Sequence, residues 1–155
     1  MSEDVHAAEA TLGRIETEVA LLMRLGEATR RGTGTMEHRL LDRAAYVILR
    51  HLDAAGPQNV SALAARLSLD GSTVTRQVSA LQRDGLISRT PDPADGRGTV
   101  ISATAAGLQR MAAVRAARTR LYGDILAAWP EADRETLADM LHRLNEALDA
   151  RTRRR

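Results

Sequence analysis

A mainly α-helical fold carrying one small β-hairpin is what this sequence predicts, and three observations predict it. Ala and Leu dominate a 155-residue chain that has no Phe, one Trp and two Tyr. That composition favours helix and demands an aliphatic core. Apolar residues recur at spacings of three and four along most of the chain, the period of an amphipathic helix. Only two five-residue stretches, "LISRT" at 86–90 and "TVISA" at 99–103, alternate as strands do.

The elements follow in order. Residues 5–31 read as one helix, in which Leu12, Ile15, Val19, Leu22 and Leu25 form a narrow apolar stripe. "RRGTGT" at 30–35 ends it. A second helix is expected over about 39–54, burying Leu40, Ala44, Val47, Ile48 and Leu52, with "AAGP" at 54–57 as its stop. Asn59 is a good N-cap for a short helix over 60–67 whose Leu63, Ala64 and Leu67 face inward. "SLDG" at 68–71 is a turn, and the next helix covers 72–84, terminated by Gly85. The two strands then enclose a long loop, "PDPADGRG", in which Asp95-Gly96 is a favoured turn pair. Thr104 caps a long helix over roughly 105–128, with Leu108, Met111, Ala112, Leu121, Ile125 and Leu126 as apolar positions and Arg110, Arg115, Arg118 and Arg120 on the remainder. "WPEAD" at 129–133 breaks it. A last helix repeats Leu137, Leu141, Leu144 and Leu148 at three and four, and "RTRRR" at 151–155 is a frayed tail.

A short helix, a tight turn and a second amphipathic helix make a helix-turn-helix, and a hairpin directly after it is a wing. The predicted architecture is therefore a winged helix-turn-helix flanked by N- and C-terminal dimerisation helices. Its divisions are an N-terminal dimerisation helix at 1–38, the winged region at 39–103 and C-terminal dimerisation helices at 104–155, within one compact domain overall.

Composition removes several function classes. The length supports one real core. No apolar run can cross a bilayer, and "MSEDVHAAEA" has neither the basic start nor the apolar stretch of a signal peptide, so the expected location is cytoplasmic. There is no Cys, which excludes disulfides, thiolate metal sites and thiol redox sensing. No Gly-rich phosphate loop, HExxH or nucleophile elbow is present; the chain is not expected to be an enzyme or to carry a cofactor. His6, His38, His51 and His142 lack metal-ligand spacing. Net charge is only +2, yet every one of the 22 basic residues is Arg. GC-rich coding accounts for that choice, so the positions of the arginines carry the argument.

On a helical wheel of residues 72–84, Val74, Val78 and Leu81 cluster on one side. Ser72, Thr75, Arg76, Ser79 and Arg83 occupy the other, with no acid before Asp84. A phosphate-lined groove suits such a face. Small residues permit close approach, hydroxyls donate to phosphate or base edges, and Arg pairs with guanine or phosphate. A merely solvated face would mix Glu with Arg.

The segment 59–107 resembles the winged helix of the multiple-antibiotic-resistance regulator (MarR) family. The matching marks are "LA" at 63–64, "STVTR" at 72–76, "L..DGLISR" at 81–89, "D.R" at 95–97 and "T..G" at 104–107. The resemblance extends to the helix order across nearly the whole chain. It implies a homodimeric, sequence-specific DNA-binding transcriptional regulator, generally a repressor relieved by a small non-covalent ligand. By the same resemblance Ser72, Thr73, Thr75 and Arg76 match the major-groove stretch, Arg97 matches the wing-tip arginine that enters the minor groove, and Asp95 matches the acid that braces it. Many members carry a second basic residue in the wing; here that stretch reads "DPADG", so this wing has fewer cations.

Pro91 and Pro93 stiffen the loop that carries Arg97, and Asp95 is placed to pair with Arg97 and aim it. The leucine seams at 12–25 and 137–148 are an association signal. They can pack on each other within one chain, interlock with a second copy, or both. A two-fold dimer would set two recognition helices about one helical turn apart on a pseudo-palindromic double-stranded DNA operator. Ligand candidates near the junction of the dimer helices and the winged part are Arg14, His38, Tyr46 and Trp129. The competing reading is a winged-helix module that binds protein, or a structural helical dimer without specific DNA binding. An apolar or acidic recognition face would favour it, and this face is polar and basic.

Overall fold

The computed structural model of the chain describes residues 2–32 and 41–154. It divides into two compact units, 1–39 and 40–155. The first contains helix α1, Ser2–Gly32, close to the span expected. The second runs α2 (Arg43–Ala55), β1 (Gln58–Asn59), α3 (Val60–Leu67), α4 (Gly71–Arg83), β2 (Ile87–Pro91), β3 (Thr99–Ala103), α5 (Ala105–Ile125) and α6 (Glu131–Thr152).

Short polar side chains set the helix starts. Asp42 accepts from the Ala45 amide at 2.7 Å, Asn59 from Ala62 at 2.6 Å, Asp70 from Thr73 at 2.7 Å and Thr104 from Gly107 at 3.1 Å. Each satisfies an amide that the helix itself leaves unpaired. The Asp42 cap corrects the predicted start of the second helix: it begins at Arg43, and Leu41 packs in the core outside the helix. Leu40 lies outside the described residues, as does the stretch 33–35 of the first turn. Gly56 (φ +76°) and Gly85 (φ +70°) stop α2 and α4 in a left-handed conformation that side chains with a Cβ resist.

The core is aliphatic throughout, as the composition requires. Ile48 and Leu49 of α2, Leu63 of α3, Val74 and Val78 of α4, Leu86 and Ile101 of the wing base and Val114 of α5 are fully buried. Two expectations about buried faces fail. On α2 the inward positions are Ala45, Ile48, Leu49 and Leu52, while Val47 is exposed and Ala44 only half-buried. On α5 they are Gly107, Met111, Val114 and Ala117; Ala112 and Ile125 are exposed, and the helix ends at 125, not 128. The cause on α5 is a close approach. A Cβ on Gly107 would lie 2.1 Å from the Leu86 carbonyl oxygen, so the helix is rotated to put its glycine, not its larger side chains, against the wing base. Thr104 fixes the same corner, its hydroxyl donating to Gly85 O at 2.7 Å and its amide to Leu86 O at 3.0 Å.

The hairpin gains a strand that the sequence did not signal. Gln58–Asn59 pairs antiparallel with β3, giving a three-stranded sheet of order β1-β3-β2. Pairing of β2 with β3 runs from Ile87↔Ala103 to Pro91↔Thr99, leaving 92–98 as the wing loop. At the other end of the chain α6 continues to Thr152, so the first two residues of the expected frayed tail are helical, and Arg153 is paired with Asp149.

Candidate nucleic-acid interface

Helix α4 is oriented by its apolar side. Val74 and Val78 are fully buried and Leu81 nearly so. Ser72, Thr75, Arg76, Ser79 and Arg83 are exposed on the opposite face, with Thr73 half-buried. The wheel drawn from the sequence is the face the fold presents. Gln77 adds a polar tie, its Nε2 donating to Asp42 Oδ2 at 2.9 Å and linking α4 to the cap of α2. Neither Arg76 nor Arg83 has an ion-pair partner among the described residues, so both guanidinium groups are available to phosphate or base.

The first turn of α4 departs from the expectation that its hydroxyls donate outward. Ser72 Oγ donates to Asp70 Oδ1 at 2.5 Å and Thr73 Oγ1 to Asp70 Oδ2 at 2.5 Å. Those donors, with the Thr73 amide, hold the Asp70 carboxyl well below the usual carboxylate range, the Ser72 hydroxyl having the largest effect. Thr75 and Ser79, by contrast, have no hydrogen-bond partner among the described residues and keep their donors free. Asp70 is the polar residue that the sequence reading assigned only to a turn. An Asp just before an amphipathic run is a helix-start signal and could have found it.

In the wing, Arg97 is exposed at the loop tip. The expected Asp95–Arg97 ion pair is not formed. Instead Asp95 Oδ1 accepts from the Arg97 backbone amide at 3.1 Å. The reason is local: an aspartate reaches the main-chain N–H two residues on more easily than a long, solvated guanidinium. Asp95 therefore shapes the turn and leaves the arginine side chain without an ion-pair partner among the described residues. Asp92 does the same for Ala94 at 2.8 Å, and the Gly98 amide donates to Asp95 O at 2.8 Å. Arg89, on β2, is a further exposed cation of the wing.

The remaining candidates scatter. Arg14 is exposed on α1, Trp129 is exposed between α5 and α6, and His38 lies outside the described residues. Tyr46 is half-buried beneath a residue that the sequence placed only on the polar remainder of its helix: the Arg118 guanidinium carbon sits 4.6 Å from the ring centroid. Arg118 Nη2 is buried and has no hydrogen-bond partner among the described residues. No hydrogen bond or ring contact joins Tyr46 to Trp129. His51 has its pKa lowered, first by burial and then by Arg66, which favours the neutral ring. Among the described residues no cluster of His, Asp and Glu could hold a metal ion, and no helix is long and apolar enough to cross a membrane.

The seam residues are largely exposed on the single chain. Leu12, Ile15, Leu22 and Leu25 of α1 are exposed and Val19 is half-buried. On α6 Leu141 and Leu148 are exposed, Leu137 and Leu144 half-buried, and no residue is buried.

Comparison with known proteins decides the family. The MarR family model matches residues 41–99. The chain is 38% identical over 107 residues to YxaD of Bacillus subtilis, an HTH-type transcriptional regulator, covering 69% of this chain and 75% of that protein. The chain belongs to the MarR family. It is also 30% identical over 115 residues to the HTH-type transcriptional repressor IacR of Pseudomonas putida, covering 72% of this chain and 69% of IacR. Among solved structures, the PcaV transcriptional regulator of Streptomyces coelicolor, in complex with its natural ligand, superposes with a TM-score of 0.65 at 27% identity, covering 83% of this chain and 91% of PcaV. This is a transcriptional regulator of the MarR family with that family's winged helix-turn-helix, and the relatives named above are transcriptional regulators.

Proposed function

We propose that this MarR-family regulator is a homodimeric repressor that binds a pseudo-palindromic DNA operator in the cytoplasm and releases it on binding a small non-covalent ligand. In this reading 39–103 is the DNA-binding region, and 1–38 with 104–155 form the dimer. The observation that carries it is the exposed face of α4. Its side chains are small, hydroxylic or basic, its two arginines have no ion-pair partner among the described residues, and its back is locked to a dry core. Such a helix is a rigid probe for a major groove. Ser72, Thr73, Thr75, Arg76, Ser79 and Arg83 make that contact, and Arg97, on the wing loop shaped by Asp95, enters the minor groove.

The dimer reading rests on the leucines at 12–25 and 137–148, which a lone chain leaves largely in water, at a cost of roughly 25 cal/mol per Å² of apolar surface exposed. The repressor and ligand readings are supported by IacR, named a repressor, and by PcaV, solved with its natural ligand. Of the four ligand candidates (Arg14, His38, Tyr46 and Trp129), Tyr46 has the firmest support, because Arg118 beside it has hydrogen-bonding capacity to spare at a buried nitrogen.

A footprint across the promoter of the protein's own gene, with sedimentation of the same sample, tests the reading. Two protected patches about one helical turn apart and a dimer at micromolar concentration are expected. Leu141→Asp with Leu144→Asp should put charges into a dry helix interface, so that dimer content and footprint disappear together. A wild-type monomer that still gives the two-patch footprint would contradict it.

A further inference from the structure

The C-terminal end of α6 lies against the helix-turn-helix. Ser68 Oγ and Thr152 Oγ1 are 3.0 Å apart, across 84 positions of sequence. Thr152 Oγ1 also donates to Asp149 O at 2.8 Å. A hydroxyl has one proton, so Ser68 is the donor of the pair. Ser68 is the left-handed residue that ends α3 (φ 51°), two positions before the Asp70 cap of α4. The contact therefore sets the last turn of α6 beside the leading end of α4. Arg151, Arg153 and Arg154 of that turn are exposed. Arg153 is held by Asp149. The side chains of Arg151 and Arg154 have no ion-pair or hydrogen-bond partner among the described residues. Arg66, in the last turn of α3, is a further exposed cation at the same end of that helix.

Arginines at a helix C-terminus often serve the helix itself, by donating to its last carbonyls or offsetting its dipole. Here the carbonyls are already served. Asp149 O accepts from Thr152 Oγ1 and from the Arg153 amide at 3.2 Å, and Arg151 O accepts from the Arg154 amide at 3.4 Å. Neither the Arg151 nor the Arg154 guanidinium takes part. The nearby acids are engaged as well, Asp149 by Arg153 and Asp70 by the Ser72 and Thr73 hydroxyls. We infer that Arg151 and Arg154, anchored by the Ser68–Thr152 contact, extend the DNA interface as a third contact that binds backbone phosphates beside the groove α4 enters. Charge complementarity and continuity with the helix-turn-helix name the partner: a phosphate row borders the major groove wherever a helix enters it. Such contacts fix register and orientation and carry no base preference. The anchor matters because an arginine on a docked helix loses less freedom on binding than one on a loose tail. The C-terminal arginines therefore position the recognition helix rather than read sequence.

The inference rests on the DNA-binding reading above, and the test separates the two. Full-length wild type, Arg151→Gln with Arg154→Gln, Ser68→Gly, and all three changes together are bound to specific and scrambled duplexes over a salt series. Sedimentation of each confirms an unchanged oligomeric state. Gln keeps helix propensity, and Gly suits the left-handed backbone at 68, so the fold should stand in every variant. The double Gln variant should reduce the slope of log affinity against log salt by roughly 1 to 2 per protomer, each neutralised phosphate contributing about 0.9. Affinity should fall on both kinds of duplex, with base preferences unchanged. Ser68→Gly should weaken binding several-fold in the wild-type background and have no effect once the two arginines are gone, the coupling expected of an anchor and its cations. A wild-type salt slope in the double Gln variant would overturn the inference while leaving the proposed function intact. Equal effects of Ser68→Gly in both backgrounds would overturn the anchoring. A wild type with no affinity for any duplex would overturn the proposed function, and this inference with it.

Discussion

In the proposed reading helix α4 and the wing loop each offer an arginine to DNA, but they support it by different means. Arg76 stands on a helix whose Val74 and Val78 are fully buried, whose Gln77 is tied to Asp42, and whose first turn is locked by Asp70. Arg97 stands on the seven residues 92–98, closed by main-chain bonds and by amides donating to Asp92 and Asp95; its side chain, like that of Arg76, has no ion-pair partner among the described residues. A contact on a helix docked to the core can read a donor–acceptor pattern in the major groove, whereas a cation at a hairpin tip in the minor groove meets nearly degenerate base edges and senses charge and groove width. The difference predicts a division of labour: α4 for sequence, the wing for affinity.

The harshest way to break the comparison is to remove the helix's support. Val78→Asp would bury an unpaired carboxylate in an aliphatic core and should destabilise the winged region by about 3–5 kcal/mol. Urea unfolding followed by circular dichroism would measure it, and DNA binding should fail with the fold. Arg76→Ala leaves the support intact and removes only the probe. It should cost about 1–3 kcal/mol on the preferred duplex and flatten one base position per half-site, read by titration of single-substituted duplexes. Arg97→Ala should weaken binding to all duplexes alike and reduce the slope of log affinity against log salt by roughly 1 per protomer. Any lost preference should be for A·T-rich flanks. Smallest of all, Asp95→Ala should leave the salt slope unchanged, because the arginine keeps its charge, and should lower affinity only by loosening the turn. Amide exchange at Arg97 and Gly98 would report that loosening directly.

Much of this was legible in the sequence because caps and glycines punctuate it. Asn59, Thr104, Gly56 and Gly85 mark element ends within a residue or two of where they fall, and the period of Val74, Val78 and Leu81 identified the buried side of α4. What was not legible depends on neighbours that no periodicity encodes. Leu49 and Val47 sit equally well on a wheel, and only the packing of α2 chooses between them. The burial of Val114 and Ala117 over Ala112 and Ile125 follows from Gly107 meeting the Leu86 carbonyl, a tertiary contact. The two-residue strand β1 is too short to alternate. In the site, an acid two residues before an arginine reads as an ion pair, but the nearer main-chain amide wins the carboxylate. The same chemistry hides the role of Asp70, since a turn residue and a cap that takes the hydroxyl protons of its neighbours look alike in one dimension.

The central claim is that the exposed face of α4 lies in the major groove while the wing tip lies in the minor groove. Methylation interference on the preferred duplex tests it most directly, because guanine N7 lines the major groove and adenine N3 the minor. Methylated N7 should block binding in two patches whose centres are about 10 base pairs apart, and methylated N3 should block it in the flanks. Arg76→Ala should erase the N7 interference alone, and Arg97→Ala the N3 interference alone. Interference confined to one groove, or a pattern that neither substitution alters, would contradict the account.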